Sequence, residues 1–168
     1  MLQLTLDITP VNNLILNIFK FFISKHKKDA QWTCQDELIP VDINELNPMQ
    51  FVVYRFGVFI IQLLQDVMEV PEVTLLIASS LPPNNYSKNA FRNSFFYERS
   101  RKILFVRQER MDSVGDFVVL MMHCLAHIKV DDLCDDNNVL FLREFYKVCF
   151  INIVSILKEM CSVKHASR

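Results

Sequence analysis

The residues best suited to chemistry are His123 and His127, in the stretch Val118-Val-Leu-Met-Met-His-Cys-Leu-Ala-His-Ile-Lys-Val130. The apolar text around them predicts a buried helix. A spacing of i, i+4 puts both imidazoles on one helical face, where two ring nitrogens can grip one metal ion. A metal-bound water attacks efficiently when a carboxylate takes its proton, help worth about 10²–10⁴-fold in rate. The residue after His123 is Cys124, which supplies no carboxylate, and the 3.6-residue turn points its side chain about 100° around the helix. The pair also admits a plain reading, as core histidines bonded to backbone or to Glu144.

Other chemistry-bearing residues are sparse. Glu144 stands 17 residues beyond His127 and can pair with Lys147 one turn on. The run Asp131, Asp132, Asp135 and Asp136 lacks calcium-loop spacing and reads as a solvated turn. Ser79 and Ser113 lack a nucleophile-elbow context. The only glycines are Gly57 and Gly115, so no Walker loop or dinucleotide fingerprint can be written. The five cysteines, Cys34, Cys124, Cys134, Cys149 and Cys161, form no C-x-x-C pair and suit reduced intracellular thiols.

Elements on either side must position the histidines. Thr9 and Pro10 open a helix in which Leu14, Ile15, Ile18, Phe19, Phe22 and Ile23 recur at helical spacing, ending near Lys28. Residues 29–47 form a locally packed connection containing Trp32 and Pro40. Asn47-Pro48 starts a second helix, to Met68, apolar on nearly every face and therefore expected to be surrounded by protein. Val73 to Ala78 predicts a buried strand, and Ser94 to Glu98 with Lys102 to Val106 predicts a hairpin. Asp112 and Ser113 offer caps to the histidine helix, with Asp116 placed as in a capping box. A final helix runs from Val139 to about Val163.

A chain of 168 residues that is 51% hydrophobic and 22% charged can bury one substantial core, which predicts a single domain over 1–168. With 18 basic and 19 acidic residues the net charge is −1, so neither nucleic acid nor an anionic membrane is expected as partner. The start, Met1 to Thr9, carries Asp7 and no basic region and does not read as a signal peptide. Arg55 interrupts one apolar run and Arg143, Glu144 and Lys147 another, so no membrane span is expected. The expected location is intracellular, in the cytoplasm. The surplus of apolar text, with 14 phenylalanines, points to a protein partner or an oligomer.

The order helix, strand, hairpin, histidine helix, final helix, together with Met122-His-Cys-Leu-Ala-His-Ile128, resembles the zincin metalloproteases, and among them the small gluzincin-like domains. The resemblance covers roughly Asn47 to Cys161. It implies a small α+β fold with a short, mainly antiparallel sheet or hairpin, residues 1–46 forming an N-terminal helix and connection before a core at 47–163. It also implies a metal set of His123, His127 and Glu144, zinc being the candidate ion and no other cofactor expected. In that family the motif is H-E-x-x-H, and Cys124 stands where the glutamate base belongs. The expectation is therefore a non-catalytic scaffold acting as an interaction module in an intracellular complex. The alternative is a zinc-dependent hydrolase with an altered base.

Overall fold

A computed structural model describes residues 32–34 and 37–151. The expected helix at 10–28 and the end of the final helix lie outside the described residues. The remainder is a small α+β fold: three helices and a mixed four-stranded sheet. The strands are β1 (Ile39–Val41), β2 (Thr74–Ser80), β3 (Phe95–Glu98) and β4 (Ile103–Arg107). The helices are α1 (Pro48–Met68), α2 (Val114–Val130) and α3, described over 139–151.

The sheet order is β1-β2-β4-β3. β1 pairs antiparallel with β2, β2 parallel with β4, and β4 antiparallel with β3, in the expected hairpin. Lys102 takes a φ of 54° in its turn. β1 lies inside what the sequence presents as connection. Three residues containing Pro40 are too short for a period-two pattern, and a proline fits an edge strand, which β1 is.

Alternation along β2 and β4 sends residues to two faces. Leu75, Ile77, Leu104 and Val106 join a core built with Val53, Ile60, Ile61 and Leu64 of α1 and Phe117, Leu120, Met121 and Leu125 of α2. Ala78, Ile103 and Phe105 belong to a smaller cluster on the opposite face, with Leu81. The helix-facing layer positions the histidines, because it fixes how α2 lies on the sheet.

The caps follow the sequence. Asn47 Oδ1 accepts from Gln50 N at 2.9 Å, with Pro48 in the first turn of α1. Ser113 Oγ accepts from Asp116 N at 3.4 Å at the start of α2. Gly57 lets α1 approach closely: a Cβ there would stand 2.7 Å from Phe117 Cε1 and 2.9 Å from Leu75 Cδ2. α1 is not enclosed on every side, contrary to the expectation from its composition. Met49, Phe51, Val52, Phe59 and Val67 are exposed. Apolar residues all round a helix show that it avoids charge, not that neighbours cover it. By length and composition α1 could also cross a membrane, although Val53, Gly57, Ile60, Ile61, Leu64 and Met68 are buried in the fold.

Candidate metal centre

His123 and His127 face inward on α2, both 0% exposed, with ring centroids 4.6 Å apart. α2 ends at Asp131, whose left-handed φ of 57° turns the chain back along the helix. The following loop then carries Asp136 into the space between the imidazoles. Asp136 Oδ1 lies 3.0 Å from His123 Nε2 and 2.9 Å from His127 Nε2, while its Oδ2 accepts from Ala90 N at 2.8 Å.

The loop is braced for this placement. Asp132 accepts from Cys134 N at 2.9 Å and from Asn138 Nδ2 at 2.7 Å, and Asp135 accepts from Asn137 N at 2.9 Å. From across the loop, Lys88 N donates to Cys134 O at 3.0 Å and Asn89 Nδ2 to Leu133 O at 3.0 Å. Asn138 Oδ1 accepts from Leu140 N at 2.9 Å and so caps α3. The side chains that end α2, shape the turn and begin α3 therefore also hold Asp136 in place.

Aromatic rings close the site. Phe141 stacks on His127 with centroids 3.7 Å apart and planes at 13°, and Phe91 meets His123 edge-on at 4.8 Å. Phe141 and Phe145 lie 5.1 and 6.1 Å from the His123 ring.

Proton bookkeeping at His127 defines what the site can hold. His127 Nδ1 is hydrogen-bonded to the carbonyl oxygen of Asp132. A carbonyl only accepts, so Nδ1 carries a proton, and in a neutral ring Nε2 is then an acceptor. Yet Nε2 faces Asp136 Oδ1, and an ionised carboxylate also only accepts. The contact calls for a positive group, either a second proton that makes His127 an imidazolium or a metal ion. Burial raises the Asp136 carboxyl, but hydrogen bonds from His123 and His127, the charge of His123 and the Ala90 amide outweigh it and hold the group well below the ordinary carboxylate value. Asp136 is thus an anion between two imidazoles.

Among the described residues, His123, His127 and Asp136 form a group that could hold a metal ion, with ligand atoms within 4.8 Å of one another. The donor set of two imidazole nitrogens and one carboxylate oxygen suits a zinc-type cation. The Nδ1–H of His127 on a backbone carbonyl is the outer-shell contact that orients metal-binding histidines. The 2.9 and 3.0 Å spacings are hydrogen-bond lengths, shorter than the ~3.4 Å between tetrahedral zinc ligands that bonds of about 2.1 Å imply.

The structure brings together the two predicted histidines but gives them a different carboxylate. Glu144 is occupied elsewhere: its oxygens lie 2.8 Å from Lys147 Nζ, 3.1 Å from Lys129 Nζ and 3.2 Å from Arg143 Nε. Burial raises its carboxyl, but the ammonium groups of Lys147 and Lys129 prevail and hold it at about 2. Asp136 sits in the acidic run read as a solvated turn, where four similar aspartates gave no cue as to which one points inward. A cue existed in Asn138, a capping residue before Val139 whose amide also bonds Asp132 and so ties the start of α3 to the loop. Cys124 is buried in the core cluster.

Comparison with known proteins returns no match: no family model, no curated protein and no solved structure is significantly similar to this chain.

Proposed function

We propose that this chain is a non-catalytic scaffold of the zincin metalloprotease kind, acting as a protein–protein interaction module. The observation that carries this reading is closure of the His123–His127–Asp136 centre. A catalytic zinc site keeps one position open to water and substrate, whereas here both histidines are 0% exposed under Phe91, Phe141 and Phe145. The base position holds Cys124, also 0% exposed. The carboxylate that does approach, Asp136, is committed to two imidazoles and the Ala90 amide. The edge strand β3 is also partly engaged, since Tyr97 N donates to Tyr86 Oη at 3.3 Å. An extended peptide adding to that edge loses this donor. The exposed apolar residues of α1, and Val139, Leu140 and Phe150 of α3, support the interaction reading.

The scaffold reading is tested with zinc-loaded protein and a mixed peptide library analysed by mass spectrometry. Wild type and the His123→Ala and His127→Ala variants should give the same background cleavage. Cleavage by wild type that both variants abolish would sink the proposal.

A second reading is favoured by the proton bookkeeping at His127: the centre is a structural zinc site held by His123, His127 and Asp136. A bound ion would supply the positive charge that the His127–Asp136 contact needs, and the aromatic cover would keep it shut. Elemental analysis of protein purified without added metal should then find about one zinc per chain, lost in Asp136→Ala and kept in Glu144→Gln. Zinc-free wild type, or loss of zinc in Glu144→Gln alone, contradicts this assignment.

A further inference from the structure

Of the 21 residues of α1 only two are charged, Arg55 and Asp66, and they are opposite in sign. They stand 11 residues apart, about three turns or roughly 16 Å along the axis, so both lie on one face of the helix. That face is the outward one. Val52 is 62% and Phe59 49% exposed, and Arg55, Gln62 and Asp66 are exposed beside them. At 100° per residue these five side chains fall within an arc of about 80°. Val53, Gly57, Ile60, Ile61, Leu64 and Met68, buried in the core, occupy the opposite side. Half-buried Phe56 and Leu63 border the outward arc, and Phe56 stacks on Phe59 with ring centroids 6.1 Å apart and planes at 25°. Neither Arg55 nor Asp66 meets an opposite charge among the described residues.

We infer that this face of α1 pairs with the same face of a second copy of the chain, the helices running antiparallel about a two-fold axis between Ile60 and Ile61. A two-fold interface is isologous, so every contact between two different positions occurs twice. With the axis at that point, Arg55 of each copy faces Asp66 of the other. Phe59 and Leu63 meet across the axis, since each lies within about 4 Å of it along the helix. An apolar centre with a charged pair at either end has the anatomy of a protein interface. Charge order also selects the direction, because parallel helices in register would set Arg55 against Arg55 and Asp66 against Asp66, and like charges repel.

Other occupants fit this face less well. α1 is long and apolar enough to cross a membrane, but lipid on its outer side would place both Arg55 and Asp66 in hydrocarbon, which is costly. A partner of one charge sign would oppose either Arg55 or Asp66 with its own sign. The matching surface carries both charges in reverse order, and a second copy supplies it. One helix from each copy makes a small contact, so the dimer is weak and depends on concentration. This pairing rests on the interaction-module reading, whose partner it names, and needs nothing from the metal centre.

The test is sedimentation velocity of the full chain over a wide range of concentration, with circular dichroism to confirm that each variant folds. Wild type should pass from monomer to dimer. Arg55→Asp and Asp66→Arg each set like charges against one another at both ends and should raise the dimer dissociation constant about tenfold or more. The double variant Arg55→Asp/Asp66→Arg should dimerise as wild type does. An equimolar mixture of the two single variants should form a heterodimer tighter than either self-pair, a rescue that misfolding cannot imitate. A wild type that stays monomeric overturns the inference, whether residues 1–31 or phosphatidylcholine vesicles prove to cover α1. Dimerisation untouched by either charge reversal, or a mixture no tighter than its components, overturns it too. A monomeric wild type removes the second copy but not a different partner, and the peptide-cleavage assay judges the scaffold reading by itself.

Discussion

Replacing Asp136 by Ala removes the one anion that holds the two imidazoles together. Three hydrogen bonds disappear, at 3.0, 2.9 and 2.8 Å, each of the charge-assisted kind worth about 1.5–3 kcal/mol. They are not additive, because all three hold the same loop. Breaking a buried charge pair by deleting one partner costs about 3–5 kcal/mol, and that is the expected loss. For a chain of this size about 1 kcal/mol moves the melting temperature by about 2–4 °C, so thermal unfolding should begin roughly 6–20 °C lower. Asp136→Asn should fall between Ala and wild type, because its amide can donate to a neutral His127 Nε2 while its oxygen keeps the Ala90 contact. Asp135→Ala, which removes the partly exposed ion pair with Lys88 and the bond from Asn137 N, is the comparison for an exposed contact in the same loop and should cost clearly less than Asp136→Ala. Urea unfolding followed by circular dichroism measures all three. If Asp136→Ala costs no more than Asp135→Ala, the centre does not hold the loop.

Further expectations concern the surrounding framework. The Glu144 carboxyl is held at about 2 against an ordinary 4.5, so its contribution is complete above pH 4.5 and is lost as pH falls towards 2. Glu144→Gln should flatten the acid limb of the stability profile in that window, and an unchanged limb contradicts the Lys129–Glu144–Lys147 account. Gly57→Ala drives a Cβ to 2.7 Å from the Phe117 ring and should cost about 1–3 kcal/mol in urea unfolding through overpacking; a stabilised variant would mean the α1 crossing is looser than described. Cys124→Glu inserts a carboxyl into a position with 0% exposure. It should lower stability by about 2 kcal/mol or more and gain no peptide hydrolysis, so a stable, hydrolytic variant would refute the closed centre.

The sequence carried most of the architecture because local rules decide it. Asn47-Pro48 and Ser113 with Asp116 start helices where capping chemistry puts them, and the Ser94 to Val106 text folds as the hairpin its two short apolar runs predict. The misses share one cause, that short or repeated polar text is assigned by tertiary contact. β1 is three residues long and gains strand character only beside β2. Asp136 differs from Asp131, Asp132 and Asp135 only in where the Asp131 turn and the Asn138 cap aim it. Glu144 was drawn by position towards the histidines, but Lys129 and Lys147 compete for it at shorter range. The histidine pair was legible as a pair, and its third member was not, because the loop that supplies it is held by backbone groups of Lys88 and Ala90 some 46 residues away in sequence.

The central claim, that His123, His127 and Asp136 form a closed centre, is tested most directly by the ring protons of His127. In long-range nitrogen–proton correlation spectra near neutral pH, His127 should show a protonated Nδ1, bonded to the Asp132 carbonyl, whose hydrogen exchanges with solvent over seconds or longer. A His127 ring whose hydrogen exchanges too fast to observe and which averages between its two tautomers, as an exposed imidazole does, would contradict the closed centre.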